Sequence, residues 1–188
     1  MADSIKFNPQ KLAKLNDPRR LEMINPDLIW EALELTAPQV LIDIGAGTGI
    51  FARNFAARIP AGTVYACDSS PVMADWMREN LAVANLVSLL SGESSVPLEG
   101  EIADLVYMIT VHHELEEPES LLAEIRRLLK PGGKVALIDW RKEAMPDGPP
   151  LEIRVAEEAV MEQLCNAGFR NVRRCDILPR HFLIVGEK

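Results

Sequence analysis

The sequence has few cysteines, few basic residues and no long apolar run, and each shortage argues against a class of protein. Three cysteines among 188 residues do not make a disulfide-stapled fold, and Cys67, Cys165 and Cys175 lack the spacing of a metal site. Twenty basic residues against 28 acidic ones give a net charge of −8, which argues against general nucleic-acid binding. No apolar run approaches the roughly 18–20 residues that cross a bilayer.

The first residues also lack the cationic and apolar pattern of a secretory signal. We therefore expect a cytoplasmic protein with reduced cysteines, no metal ion and no membrane segment. A hydrophobic fraction of 48% with 26% charged residues is typical of a globular chain. The length suits one domain over residues 1–188, with an N-terminal arm and cap helix over 1–37 and an α/β core over 38–188. Within the arm, residues 1–25 read as irregular and 26–35 as the helix.

Strand-like and helix-period segments alternate from residue 39 onward. The pattern predicts strands over 40–44, 63–68, 86–90, 104–109 and 134–139, separated by helices over 48–58, 70–84 and 118–129. A further helix ends at Gly168, and strands over 171–178 and 181–185 close the chain. A short link predicts antiparallel pairing of the last two strands, whereas the helical crossovers predict parallel pairing of the others. The fold class is therefore α/β, with a doubly wound sheet.

Polar residues cluster where the predicted strands end, over 43–49, 68–69, 91–93, 110–114 and 139–141. In a doubly wound sheet the ligand binds at the carboxyl ends of the strands, where the strand order reverses. We therefore expect the functional site to be built from these clusters.

The most informative cluster reads D-I-G-A-G-T-G from Asp43 to Gly49. Its glycines allow a sharp turn and a close approach of the backbone to a ligand at a helix start. A dinucleotide fingerprint would need glycine at position 50, which is Ile50, and the lysine of a P-loop is also missing.

This segment resembles motif I of the class I S-adenosylmethionine-dependent methyltransferases. Asp68 resembles the acidic residue that holds the ribose hydroxyls in that family, Gly92-Glu93 stands where the family often has Gly-Asp, and residues 128–133 are similar to its helix-to-strand turn. The resemblance covers residue 39 to the C-terminus, and small ubiquinone and menaquinone biosynthesis methyltransferases are the most similar in pattern. It implies cofactor contacts from Asp43, Gly45, Ala46, Gly47, Gly49, Asp68, Ser69, Met73, Gly92, Glu93, Ser94 and Ile109.

The resemblance also implies a seven-stranded sheet of order 3-2-1-4-5-7-6 with an antiparallel last strand. The implied cofactor is S-adenosyl-L-methionine, and the implied partner is a small-molecule methyl acceptor. Two alternatives stay open, a non-catalytic protein that binds this cofactor and a nucleotide-dependent oxidoreductase, the second disfavoured by Ile50.

His113 and Asp139 are the candidate catalytic residues, at the ends of the fourth and fifth strands. His113 could act as a base or hydrogen-bond donor towards the acceptor, because histidine titrates near neutral pH. Asp139 could orient a substrate group or accept backbone amides. His112 is interpreted as a core residue, and the His112-His113-Glu114 spacing does not favour a metal site.

Overall fold

The computed structural model describes residues 9–188, with side chains from residue 12 onward, and seven strands in this range form one sheet. The strands are β1 (Val40–Ile44), β2 (Thr63–Asp68), β3 (Leu86–Leu90), β4 (Ala103–Ile109), β5 (Leu129–Trp140), β6 (Arg170–Cys175) and β7 (His181–Glu187). Their order is β3-β2-β1-β4-β5-β7-β6. Strands β1 to β5 pair in parallel, while β7 is antiparallel to both β5 and β6. The predicted fold class and strand order are confirmed.

Helices cover both faces of the sheet. They are α1 (Pro9–Leu15), α2 (Arg19–Met23), α3 (Pro26–Leu33), α4 (Ile50–Ala56), α5 (Pro71–Asn80), α6 (Pro118–Leu128) and α7 (Glu157–Asn166), with 3-10 turns at His112–Glu114 and Leu151–Ile153. Helices α3, α4 and α5 share one apolar core with the sheet, and α6 and α7 share the core on the other face.

The central strands are apolar on both faces because helices cover both. Four of the five residues of β1 are buried, as is typical of a parallel strand inside a doubly wound sheet. Helix α6 instead buries one stripe, formed by Leu121, Leu122, Ile125 and Leu128, and leaves its charged residues towards solvent. Because β1, β2 and β4 pair in parallel, their carboxyl ends lie at the same edge of the sheet.

The prediction of an irregular N-terminal arm is wrong for the part that the structure describes, because α1 and α2 are helical there; residues 1–8 lie outside the described residues. Both helices are short, at seven and five residues. Contacts with residues distant in the sequence stabilise them. For example, Arg20 of α2 donates a hydrogen bond to Thr110 Oγ1. Short helices depend on such tertiary contacts, which local sequence does not reveal.

Several helix and strand boundaries in the structure also differ from the predicted ones. Helix α5 ends at Asn80 rather than at residue 84, and β6 ends at Cys175, so five residues instead of two precede β7. Strand β5 begins at Leu129, upstream of the turn predicted to precede it, because Leu129 already pairs with Ala103 across a bulge. Backbone pairing between strands decided these limits.

All three cysteines are free; Cys67 and Cys175 are buried, and Cys165 is exposed on α7. Between residues 9 and 188, no helix has the length and hydropathy of a membrane span. The same residues contain no group of three or more histidine, cysteine or acidic side chains placed to hold a metal ion.

Candidate functional site

A cavity of about 360 Å³ opens at the carboxyl ends of β1, β2 and β4. The strand order reverses between β1 and β4, so the cavity lies at the switch point of the sheet, where α/β proteins bind ligands. Its volume is in the range of roughly 300–1,000 Å³ that is usual for small-molecule sites. Eight predicted cofactor residues line it: Asp43, Gly45, Ala46, Gly47, Asp68, Ser69, Met73 and Ile109.

The glycine-rich loop lies against the end of β2. The amides of Gly45 and Ala46 both donate to the carbonyl oxygen of Cys67, at 2.9 and 3.0 Å. A Cβ on Gly45 would lie 2.5 Å from the Val111 side chain, so this glycine allows the loop to contact the segment after β4. Gly47 also has a positive φ of 59°, and among residues 12–188 a Cβ there would meet Leu15 alone, at 3.6 Å. The Gly47 backbone therefore faces open space that a ligand could fill.

Asp68 connects this loop to the start of α5. Its Oδ2 accepts a hydrogen bond from the Gly47 amide at 2.7 Å, and its Oδ1 accepts one from the Ser70 amide at 2.9 Å. The carboxylate thus sets the conformation of the loop as well as lining the cavity.

Asp43 lies at the end of β1 and is 2% exposed. Burial raises the pKa of Asp43 well above its ordinary value, and the charge of Asp68 raises it further, while Arg20 acts in the opposite direction. A buried carboxyl group of this kind becomes easier to ionise when a cation binds nearby.

Gly49 is absent from the cavity lining, and its role as a cofactor contact stays a prediction. It is the residue before α4, with a φ of 71°, and a Cβ there would lie 2.5 Å from Leu81 Cδ1 and 3.1 Å from Met77 Sδ. Gly49 therefore lets α4 pack closely against the end of α5. The glycine pattern identified the loop but did not separate a ligand contact from a packing contact.

Gly92, Glu93 and Ser94 are exposed in the loop after β3 and are absent from the cavity lining. The Gly92 amide donates to the carbonyl oxygen of Ser95 at 2.8 Å, which closes a tight turn. Their role as cofactor contacts stays a prediction.

His113 and Asp139 form a pair beside the cavity. The imidazole Nδ1 lies 2.8 Å from Asp139 Oδ1, and the His113 amide donates to Oδ2 at 3.1 Å. Both side chains are nearly inaccessible, at 8% and 3% exposed. Burial alone lowers the pKa of His113, but the hydrogen bond and charge of Asp139 outweigh it, and the pKa is raised.

The second ring nitrogen of His113 lies 3.9 Å from Glu114 Oε1, and Glu114 lines the cavity while His113 itself does not. His112 is buried, and its Nε2 lies 2.8 Å from Gln163 Oε1 of α7, in agreement with the interpretation as a core residue. The two adjacent histidines therefore occupy different environments.

Sequence reasoning missed several lining residues, namely Leu12, Leu15, Arg20, Phe51, Ser70, Val72, Thr110, Val111 and Glu114. Glu114 and Thr110 fall within a cluster singled out at a strand end, so a signal for them existed. Leu12, Leu15 and Arg20 come from the segment predicted to be irregular, and no local pattern linked them to the site.

Three comparisons relate this chain to known proteins. A family model described as "Methyltransferase domain" matches residues 42–137. The ubiquinone/menaquinone biosynthesis C-methyltransferase of Bordetella avium is 30% identical over 129 residues, which are 64% of this chain and 50% of that protein. The chain thus spans about half the length of the curated relatives it matches.

Two solved structures extend the comparison to nearly the whole chain. The crystal structure of a SAM-dependent methyltransferase from Aquifex aeolicus is 33% identical, with a TM-score of 0.89 over 97% of this chain and 99% of that one. Human N-acetylserotonin methyltransferase, solved in complex with SAM, is 19% identical with a TM-score of 0.76 over 95% of this chain and 56% of that one, a likeness that concerns the fold alone.

Proposed function

This chain belongs to the methyltransferase domain family, and on that premise we propose that it transfers a methyl group from S-adenosyl-L-methionine to a small molecule. The resemblance drawn from the glycine-rich loop is thereby confirmed at the level of the family. The observation that carries the proposal is the cavity at the switch point, lined by eight of the twelve predicted cofactor residues.

The residues of the cavity fit this cofactor. Gly47 turns a backbone without a side chain towards open space, which suits the close approach of a ligand. Asp68 stands at the end of β2, where the resemblance puts the residue that accepts hydrogen bonds from the ribose hydroxyls, and Met73 offers an apolar surface for a flat base. The carboxyl groups of Asp43 and Asp68 suit a ligand that carries a sulfonium and an ammonium.

When bound, the cofactor supplies an electrophilic methyl group whose transfer leaves a neutral thioether. The protein therefore needs little acid catalysis, and its main contribution is to hold the reactants in line, which can lower a barrier by about 7–11 kcal/mol. In this proposal the glycine-rich loop and Asp68 hold the cofactor, and the segment after β4 holds the acceptor.

We assign the acceptor side to His113 and Asp139, as the sequence analysis did. Asp139 orients the imidazole through Nδ1, which leaves Nε2 as the nitrogen that can take a proton from an acceptor hydroxyl, amine or activated carbon. Glu114, 3.9 Å from Nε2, connects this pair with the cavity.

The experiment that tests the proposal is calorimetric titration with S-adenosylhomocysteine, followed by a screen of acceptors. Quinone precursors, phenols and amines are incubated with the protein and S-adenosylmethionine, and the demethylated cofactor is measured. Quinone precursors come first because of the name of the Bordetella avium relative. Binding without turnover on any acceptor would favour the non-catalytic alternative, and absence of binding would contradict the proposal.

A further inference from the structure

Strand β3 is the outermost strand on one side of the sheet that the described residues form. In a strand, the backbone groups of successive residues point alternately to its two sides. The carbonyl oxygen of Asn85, the residue before β3, accepts a hydrogen bond from the Val64 amide of β2 at 2.8 Å, so the odd-numbered residues face β2. The even-numbered residues point away from it. This side of the strand, the β3 edge, presents the backbone groups of Leu86, Ser88 and Leu90.

The β3 edge lies in a stretch without charge. Residues 80–92 form the longest run in the sequence without a charged side chain, although 26% of the whole chain is charged. Of the five large apolar side chains that are exposed among residues 12–188, two belong to β3, namely Val87 at 39% and Leu90 at 48% exposed. An exposed apolar strand edge is a template for pairing with another strand.

The opposite border of the sheet differs from the β3 edge. Strand β6 carries Arg170, Arg173 and Arg174. Arg173 forms an ion pair with Glu34, and Arg174 forms one with Glu157. Charged side chains of this kind protect an edge strand against association. The contrast between the two borders indicates that β3, and not β6, pairs with a further strand.

Charge identifies the partner of the β3 edge. Each chain has a net charge of −8, so two copies repel each other through most of their surfaces. An uncharged surface attracts neither a charged peptide nor a nucleic acid, but two equally charged copies approach there with the least repulsion. A second copy also presents the same apolar edge, as an interface with two-fold symmetry requires.

We propose that the β3 edges of two copies of this chain pair antiparallel about a two-fold axis at Ser88. The amide and carbonyl of Ser88 then exchange hydrogen bonds with the same groups of the second copy. The Leu90 amide donates to the second copy's Leu86 carbonyl. The Leu86 amide needs no partner in the dimer, because it already donates to the carbonyl oxygen of Val83 at 3.1 Å.

The side chains on the two faces of the joined sheet also match. Val87 lies opposite the second copy's Leu89 on one face, and Leu90 lies opposite its Leu86 on the other. Apolar cross-strand pairs of this kind stabilise antiparallel strands. No residue of β3 is among the described residues that line the cavity, so this inference is independent of the proposed function.

Sedimentation equilibrium of the full chain measures the association, at concentrations from about 1 to 200 µM because small interfaces associate weakly. We expect a monomer–dimer equilibrium that strengthens as NaCl is raised from about 50 to 500 mM, since salt screens the repulsion and the interface has no ion pair to lose. Amide hydrogen exchange gives a second readout. The Ser88 and Leu90 amides should become protected as the concentration rises, whereas the Val87 amide, which faces β2, should be protected at every concentration.

Lysine substitutions test the apolar contacts. Val87→Lys and Leu90→Lys should each weaken dimerisation at least about tenfold, because pairing would bury an unpaired charge. Leu28→Lys is the matched control, since Leu28 is an apolar residue of α3 that is also exposed, at 40%. It adds the same charge and should leave dimerisation within about twofold.

Substitutions of Ser88 test the backbone pairing. Ser88→Pro removes the amide that points away from β2, a change that an edge strand tolerates, and should abolish dimerisation. Ser88→Ala keeps this amide and loses the hydrogen bond from Ser88 Oγ to the carbonyl oxygen of Ala74, so it should still dimerise. Thermal melting of every variant verifies folding.

A monomer at every concentration and salt level would overturn the proposal and leave the β3 edge to a different protein. A dimer that Leu28→Lys disrupts as strongly as Val87→Lys would place the interface elsewhere. A dimer that tolerates Ser88→Pro would exclude strand pairing. Dimerisation that weakens as salt rises would also contradict the proposal, because this response indicates ion pairs in the interface.

Discussion

At the residue scale, Asp68 illustrates how one side chain can serve the backbone and a ligand together. Both of its oxygens accept backbone amides, from Gly47 and from Ser70. We propose that the same carboxylate also accepts hydrogen bonds from ligand hydroxyls. Loss of the side chain would therefore remove ligand contacts and also release the loop that carries Gly47.

We expect Asp68→Ala to weaken S-adenosylhomocysteine at least about tenfold, because hydrogen bonds to a charged group contribute about 1.5–3 kcal/mol each. Calorimetric titration measures the change. The control is Asp104→Ala. Asp104 also accepts two backbone amides, from Gln39 and Val40, but it lies near the start of β4, at the end of the sheet away from the cavity. It should lower the melting temperature and leave affinity in the folded protein intact. Unchanged affinity in folded Asp68→Ala would contradict the assignment.

Also at the residue scale, we expect substitution of His113 to change the rate of methyl transfer. With an acceptor found in the screen, His113→Ala should lower turnover by about 10²–10⁴ if the imidazole is the base, while affinity for S-adenosylhomocysteine stays within about twofold. Only the neutral imidazole accepts a proton, so the rate should fall as pH drops through the raised pKa of His113.

Asp139→Asn separates this role from packing, because asparagine keeps the size of the side chain but loses the charge that raises the pKa of His113. The acid side of the rate profile should move to lower pH in this variant. An unchanged pH–rate profile in Asp139→Asn would contradict the role of His113 as a base. A His113 variant that changes only the melting temperature would likewise show that the His113–Asp139 pair has a structural role.

At the scale of elements, the glycine-rich loop joins β1 to α4 and makes its turns at positive φ. Gly45, Gly47 and Gly49 all have a φ between 59° and 71°, yet their surroundings differ. A side chain at Gly45 or Gly49 would collide with Val111 or Leu81, whereas one at Gly47 would extend into the cavity. The three glycines of one motif therefore differ in their surroundings, with close side chains at Gly45 and Gly49 and more room at Gly47.

We expect Gly47→Val to abolish binding of S-adenosylhomocysteine, because the valine would occupy ligand space and strain a backbone at φ 59°. Gly168 offers the comparison, since it follows α7 with a φ of 87° and lies outside the cavity lining. Gly168→Ala should reduce the free energy of unfolding by about 1 kcal/mol or more and leave affinity intact. Titration and urea unfolding of both variants give the two readouts. Loss of binding in Gly168→Ala, with binding intact in Gly47→Val, would show that the ligand binds elsewhere.

At the scale of the whole molecule, buried histidines make stability depend on pH. His181 in β7 is fully buried, its ring lies 4.2 Å from that of Trp140, and neither ring nitrogen has a hydrogen-bond partner among the described residues. Burial lowers the pKa of His181 to about 4. The folded protein therefore holds this ring neutral in a pH range where the unfolded chain protonates it.

The sign of the effect follows from linkage. The His181 contribution to stability is complete above the unfolded pKa of about 6.5 and is lost as pH falls towards 4. We expect wild type to lose on the order of 2–3 kcal/mol more than His181→Phe between pH 7.5 and pH 4.5. Urea unfolding at both pH values measures the difference, and carboxylates common to both proteins cancel. Equal losses would show that His181 titrates normally in the folded state.

The sequence by itself determined the fold class and the strand order implied by the family pattern, and it pointed to the strand ends where the cavity lies. The strands β1, β2 and β3 were predicted to the residue, because apolar runs bounded by polar residues and glycine encode them locally. The residues at the ends of β1 and β2 were likewise predictable, since the topology of a doubly wound sheet brings those ends together.

The tertiary structure decided which of the residues singled out in the sequence lie close together. It placed Gly49 in a packing contact, separated His112 from His113, and brought Arg20 to Thr110 across 90 positions of the chain. Helices α1 and α2 escaped prediction because such short segments are stabilised by the body they pack on and carry little signal of their own. Local patterns encode elements, whereas the choice between packing and ligand contact depends on distances that only the folded chain defines.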